Sequence, residues 1–244
     1  MQRLRPAYLV AGVWLLTSAS ACGPGVATPM PEPPAAAFDL NGVNKGVMPA
    51  DYPETKQSTH NVFAQAGTVP AGAVVRVTNL DRTDVVAATN ARADGSFEVA
   101  VDVNDGQELR FEWVQGSTRS APADALFVEP DPAAIGFDIQ PSARFDCLKL
   151  TPGFALDFGK ATQATLLLEN RCSDPLTLGN ARTRLNLADF ALPATLPPNV
   201  PVGESVSIDV DFTRGAVGLR EDILFIDVTR AGTTIRYPIT LRAD

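Results

Sequence analysis

The segment SFEVAVDV, Ser96 to Val103, alternates without a break. Phe97, Val99, Val101 and Val103 fall on one face, and Ser96, Glu98, Ala100 and Asp102 on the other. Side chains in a strand alternate between faces, so this spacing predicts a strand with one face buried. The same period returns in ELRFEWV, which places Leu109, Phe111 and Trp113 inward and Glu108, Arg110 and Glu112 outward. Between the two, Asn104-Asp105-Gly106 fits a tight hairpin turn. AVVRVTN, DVVAATN and ADALFVE add three more strands before Pro130-Asp131-Pro132 breaks the pattern. Apolar residues at helical spacing are missing throughout, so the expected fold is all-β.

A second set of strands follows a short linker. ESVSIDVDF sets Val206, Ile208, Val210 and Phe212 against Ser205, Ser207, Asp209 and Asp211. In TTIRYPITL, Ile235, Tyr237, Ile239 and Leu241 alternate with Thr234, Arg236, Pro238 and Thr240. Pro238 donates no ladder hydrogen bond, which predicts an edge strand or one paired on a single side at that point. QATLLLEN and DILFIDV are more continuously apolar and suit central strands. The expected organisation is a segment 1–21 removed on export, a spacer 22–57, a sandwich 58–129, a linker 130–144 and a sandwich 145–244.

The first residues support that division. Arg3 and Arg5 precede an apolar stretch, Ala7 to Leu16, and Thr17 to Ala21 are small or polar residues leading to Cys22. This is the layout of an export signal, and ten apolar residues are too few to cross a hydrocarbon core about 30 Å thick. Ala19-Ser20-Ala21-Cys22 resembles a bacterial lipoprotein box, which implies cleavage before Cys22 and lipid on that cysteine. Ala19-Ser20-Ala21 would also serve as an ordinary signal-peptidase site. The chain has 3 cysteines. Lipidation of Cys22 leaves Cys147 and Cys172 as a candidate disulfide, with two reduced buried thiols as the alternative. Loss of Arg3 and Arg5 moves the formal charge from -8 to -10. An acidic chain of this kind is a poor nucleic-acid ligand. Prolines at 24, 29, 31, 33, 34, 49 and 53 make the next segment a semi-extended spacer.

Two family resemblances cover the rest. Gly67, PAGAVVRVTN (Pro70 to Asn79), ADGSFEVAV (Ala93 to Val101) and Gly106 resemble the bacterial Ig-like modules of exported proteins. Asp146 to Ala243 is similar to the ASH group of Ig-like domains, known from abnormal-spindle and Hydin proteins. The matching residues run in order: LDFG at Leu156 to Gly159, LLLEN and CSDPLTL within Leu166 to Leu178, and DFAL at Asp189 to Leu192. They continue through PVGESVSIDVDF at Pro201 to Phe212, Gly218, and LFIDV at Leu224 to Val228. Arg214 stands where that family usually has proline. Both resemblances imply scaffolding or binding, and neither carries a catalytic residue.

Candidate chemistry is sparse. GFALDFGKAT has the look of a phosphate-binding loop, but five residues separate Gly153 from Gly159 and Ala161 replaces the required hydroxyl, so a strand and a glycine turn are expected. His60 is the single histidine, and STHNVF suits the outer face of a first strand. DLNGVNKG lacks the order of a calcium loop. Asp209 and Asp211 lie two apart on one strand face, about 7 Å along it, and read as a solvated face. A weak calcium site among Asp81, Asp84, Asp102 and Asp105 is conceivable from composition alone. No catalytic residue, metal or cofactor is expected. The reading is an extracytoplasmic protein, anchored to the outer membrane through lipid on Cys22 and facing the periplasm or the surface. It would bind an envelope protein or surface polymer. The alternative is a small carboxylate-dependent hydrolase or a carbohydrate-binding accessory protein.

Overall fold

The computed structural model describes residues 36–43, 59–128, 138–215 and 218–243, all within one compact unit, 34–244. Cys22, the stretch read as an export signal and most of the Pro-rich segment lie outside the described residues. The architecture is all-β. A short 3-10 turn, Leu40–Gly42, comes first. The first group of strands is β1 (Thr59–Ala64), β2 (Val74–Asn79), β3 (Val86–Asn90), β4 (Phe97–Asp102), β5 (Glu108–Gln115), β6 (Thr118–Arg119), β7 (Ala123–Val128) and β8 (Asp138–Pro141). The larger sheet runs β3-β2-β5-β7-β8, with β6 on β5, and the β1–β4 pair forms the second layer.

The core between these layers is the apolar set that alternation predicts. Val75 and Val77 come from β2, Leu109 and Phe111 from β5, Phe127 from β7, and Phe97, Val99 and Val101 from β4, all buried. One local expectation changes. Asn104 to Gly106 does form a turn, with the Gln107 amide donating to the Asn104 carbonyl at 3.1 Å. It does not close a hairpin, because β4 pairs with β1 while β5 lies between β2 and β7. The turn therefore carries the chain from one sheet to the other. Asp94-Gly95 makes the turn that leads into β4: the Asp94 carboxylate accepts from the Ser96 amide at 2.9 Å, and Gly95 sits at φ 79° where a Cβ would collide with the Val69 carbonyl.

Part of the segment read as spacer belongs to this core. The Phe38 ring lies 6.0 Å from that of Phe97 and 5.5 Å from that of Phe111, and Val43 bridges to Ala64. Asp39 caps the 3-10 turn by accepting from the Asn41 amide at 2.9 Å. Burial of the large Phe38 ring favours docking of this short stretch on the core. In the same way, 130–144 is not linker throughout, since β8 adds to β7.

The second group comprises β9 (Leu148–Thr151), β10 (Ala155–Asp157), β11 (Gln163–Asn170), β12 (Leu176–Thr183), β13 (Phe190–Ala191), β14 (Asn199–Val200), β15 (Ser205–Phe212), β16 (Arg220–Arg230) and β17 (Thr233–Ala243). One sheet runs β10-β17-β16-β12-β14 and the other β13-β15-β11-β9. Leu166, Leu168, Ile208, Val210, Leu224, Ile226, Val228, Tyr237, Ile239 and Leu241 fill the space between them. β16 is buried on both faces. Its Leu224, Ile226 and Val228 enter this core, while Ile223 and Phe225 pack with Leu80 of the first sandwich. Pro238 pairs with Phe225 of β16, and β10 joins the other side of β17 only from Thr240 onward.

Candidate functional site at the junction of the two sandwiches

The outer face of β5 does not meet solvent. Glu108 and Glu112 are buried and Arg110 is 0% exposed. What covers them is the outer face of β17, and the two strands are complementary in charge along their length. Arg236 Nη2 meets Glu108 at 3.0 Å, and Arg110 Nη1 donates to the Thr240 hydroxyl at 2.7 Å. Arg110 Nη2 donates to the Pro238 carbonyl at 2.6 Å, and Arg242 pairs with Glu112. A face reading acid-base-acid lies against one reading base-carbonyl-hydroxyl-base.

Further charges close the arrangement. Asp124 of β7 holds Arg110 through two bonds, 2.7 and 2.9 Å. Arg144 joins Glu108 at 2.7 Å and Asp124 at 3.0 Å, while its guanidinium lies 5.5 Å from the Tyr237 ring centroid. Glu221 of β16 takes Arg119 at 2.7 Å and also pairs with Arg76. Asp81 accepts from the Glu108 amide at 2.7 Å and from Arg236 at 2.8 Å. Arg184 reaches from the second sandwich to main-chain carbonyls of the first, among them Arg82 at 3.0 Å and Val85 at 3.1 Å.

Burial sets the electrostatics. Removal from water opposes charge on Arg110, but Asp124, with Glu112 and Glu108 behind it, outweighs that cost and holds the guanidinium above its ordinary value. Arg236 follows the same course: burial works against it, and hydrogen bonds to Asp81 and Glu108 raise it. Desolvation dominates at Arg184, whose main-chain partners carry no full charge, and its value falls. At Glu221 burial pushes up, yet the attraction of Arg76, Arg119 and Arg242 prevails and lowers it. A cavity of about 70 Å³ remains beside these groups, lined by Arg76, Thr78, Glu112, Arg184, Glu221 and Asp222 among others. That is room for a few waters, well short of the roughly 300–1,000 Å³ of a small-molecule pocket.

The residues singled out from sequence fall elsewhere. Cys147 and Cys172 are joined by a disulfide, their Cα atoms 4.8 Å apart, between the start of β9 and the end of β11. The Arg230 guanidinium lies 3.6 Å from the Cys147 sulfur. In GFALDFGKAT, Ala155 to Asp157 form β10, Gly159 turns at φ 53°, and Lys160 is exposed. Arg214 donates to the Gly159 carbonyl at 3.3 Å. His60 is not on the outer face of β1. It shares a face with Val62 and Ala64, half-buried, and its ring centroid lies 4.7 Å from that of Phe127.

Asp209 and Asp211 are exposed on β15 and accept from Thr165 at 2.6 Å and Gln163 at 2.9 Å on the neighbouring strand. Asp81, Asp84 and Asp102 each engage an arginine: Arg236, Arg82 and Arg82 respectively. Among the described residues no group of three or more His, Cys, Asp or Glu gathers as metal ligands. Sequence reasoning missed the junction because it assigned Glu108, Arg110 and Glu112 to solvent. The available signal was the complementary order of charges on ELRFEWV and IRYPITLR.

No family model matches the chain, and no curated protein does. Among solved structures it is similar at 14% identity to the Vibrio cholerae VesB protease, with a TM-score of 0.35 over 74% of this chain and 65% of that one. A protein of unknown function from Porphyromonas gingivalis W83 is similar at 14% identity and TM-score 0.33, over 77% of this chain and 92% of that one. The BSP domain of a biofilm associated protein is similar at 15% identity and TM-score 0.22, over 74% of this chain and 27% of that one. TM-scores this low leave function to be read from the chain itself.

Proposed function

We propose that this is an exported protein, lipid-anchored through Cys22, whose two sandwiches serve as a non-catalytic structural or binding arm of the cell envelope. The sandwiches are Ig-like and ASH-like by their sequence resemblances. The observation that carries the reading is the junction. Its carboxylates and guanidiniums, the groups a catalyst would keep available to a substrate, engage one another and tie the two sandwiches into one body. A rigid arm on a Pro-rich spacer suits presentation of a surface to an envelope protein or surface polymer, with recognition at sandwich-end loops or a strand edge.

The test is fractionation of cells expressing the full chain and a Cys22→Ser variant. The wild type should sediment with membranes and the variant should become soluble. Unchanged membrane association of the variant would refute the anchor.

A further inference from the structure

We propose that the junction cavity is a binding site for one small monovalent anion of the halide class, held between Arg184 and Arg76 and bridging the two sandwiches. The inference rests on the junction geometry alone, so failure of the anchor test leaves it standing. The cavity measures about 70 Å³ and is lined from both sandwiches. A water needs roughly 10–15 Å³ of such space, and a halide is only a little larger, whereas a sugar or a nucleotide does not fit.

Donors on its wall outnumber their partners. Arg184 is 8% exposed. Its Nε donates to the Arg82 carbonyl at 3.0 Å and its Nη2 to the Val85 carbonyl at 3.1 Å, which leaves Nη1 without a hydrogen bond among the described residues. Asp222, on the same wall, is occupied by three main-chain amides: Ile223 at 2.7 Å, Leu185 at 2.9 Å and Leu187 at 3.3 Å. Arg184 is thus a buried charge held by neutral carbonyls, a costly arrangement unless a counter-charge is supplied. Burial accordingly lowers its value. Arg76 engages Glu221 through Nη1, and Thr78 adds a buried hydroxyl.

The balance of charge selects the sign of the ligand. Arg76, Arg119, Arg184 and Arg242 gather around Glu112, Glu221 and Asp222, four positive charges against three negative. The acids have counter-charges of their own: Glu112 pairs with Arg242, and Glu221 is shared by Arg76, Arg119 and Arg242. Arg242 Nε, buried and without a hydrogen-bond partner, is a second unfilled donor of the cluster. Asp157 lies 3.6 Å from Arg242 but is 64% exposed at the side chain, where water screens it. An anion neutralises this excess, and a cation would add to it. Arg76 and Thr78 belong to the first sandwich and Arg184 to the second, so the bound ion ties one to the other.

Urea unfolding of the full chain in mild detergent tests the site, with chloride exchanged at constant ionic strength for gluconate, which is too bulky for the cavity. Chloride should stabilise with saturation: at ten times its half-saturating concentration the unfolding constant should fall about elevenfold. General screening of ion pairs follows ionic strength and would not distinguish the two salts. Arg184→Gln should abolish the response and Thr78→Val should weaken it. Wild-type crystals soaked in bromide should show an anomalous peak beside Arg184 and Arg76, a readout that needs no variant to fold. Equal stability in the two salts would overturn the proposal. So would a chloride response intact in Arg184→Gln, or bromide-soaked crystals with only water in the cavity.

Discussion

Replacing Arg110 by methionine removes the most deeply buried charge of the junction while keeping an unbranched apolar stem. Arg110 makes two bonds to Asp124, one to the Thr240 hydroxyl and one to the Pro238 carbonyl. Asp124 retains Arg144 at 3.0 Å, which places the lost ion pair at the lower end of the roughly 3–5 kcal/mol seen when one buried partner is removed. The stranded Pro238 carbonyl adds about 1–3 kcal/mol. The expected loss is about 4 kcal/mol, a large part of a stability in the range of roughly 5–15 kcal/mol. Urea unfolding followed by Trp113 fluorescence and far-ultraviolet circular dichroism measures it. A double-mutant cycle with Thr240→Val then isolates the contact between sandwiches. A hydrogen bond to a charged group predicts a coupling of about 1.5–3 kcal/mol between residues 130 positions apart. A loss below about 1 kcal/mol, or a coupling within about 0.3 kcal/mol of zero, would refute the junction as described.

Two further outcomes follow from named groups. Replacing Cys147 and Cys172 by alanine should cost roughly 3–4 kcal/mol, because their crosslink spans 25 residues of the unfolded chain; two alkylated cysteines in unreduced, denatured protein, besides Cys22, would contradict the bond. Glu221 has its folded value lowered, so its stabilising contribution is complete above the ordinary carboxyl value of 4.5 and is lost as pH falls through the folded value. The stability gap between wild type and Glu221→Gln should therefore be widest above about pH 5 and shrink on acidification, and a gap independent of pH would count against the ion pairs.

Strands with one wet face were legible because burial and alternation carry the same information. β4 and β15 are such cases: Phe97, Val99 and Val101 enter one core, and Ile208, Val210 and Phe212 the other. Where three apolar residues run together the parity is lost. Val62, Phe63 and Ala64 allow either face of β1 to be the inner one, and His60 was assigned to the wrong side. Turn chemistry identified Asn104 to Gly106, but the partner of the following strand is set by distant residues, since β5 finds its neighbours in β2 and β7. Phe38 stood alone among prolines and alanines, too little pattern to separate a core aromatic from a spacer residue. The outer face of β5 failed for a deeper reason, because charge alternating with apolar residues looks the same whether its partner is water or another charged strand.

The order of signs resolves that ambiguity and explains why the junction is polar at all. An apolar outer face on β5 would expose a sticky sheet whenever the two sandwiches were apart, and it would dock at several offsets with similar energy. Glu108, Arg110 and Glu112 keep that face soluble alone and accept one alignment of β17. A slip of two residues would carry Arg110 toward Arg236 or Arg242, so a like charge would replace the Pro238 carbonyl and the Thr240 hydroxyl. Buried ion pairs contribute little net stability over apolar packing, but a misplaced one is costly. The junction therefore fixes how one sandwich sits on the other more than how tightly it holds. The coupling between Arg110 and Thr240 reports that geometry directly, because the bond exists only in the aligned register.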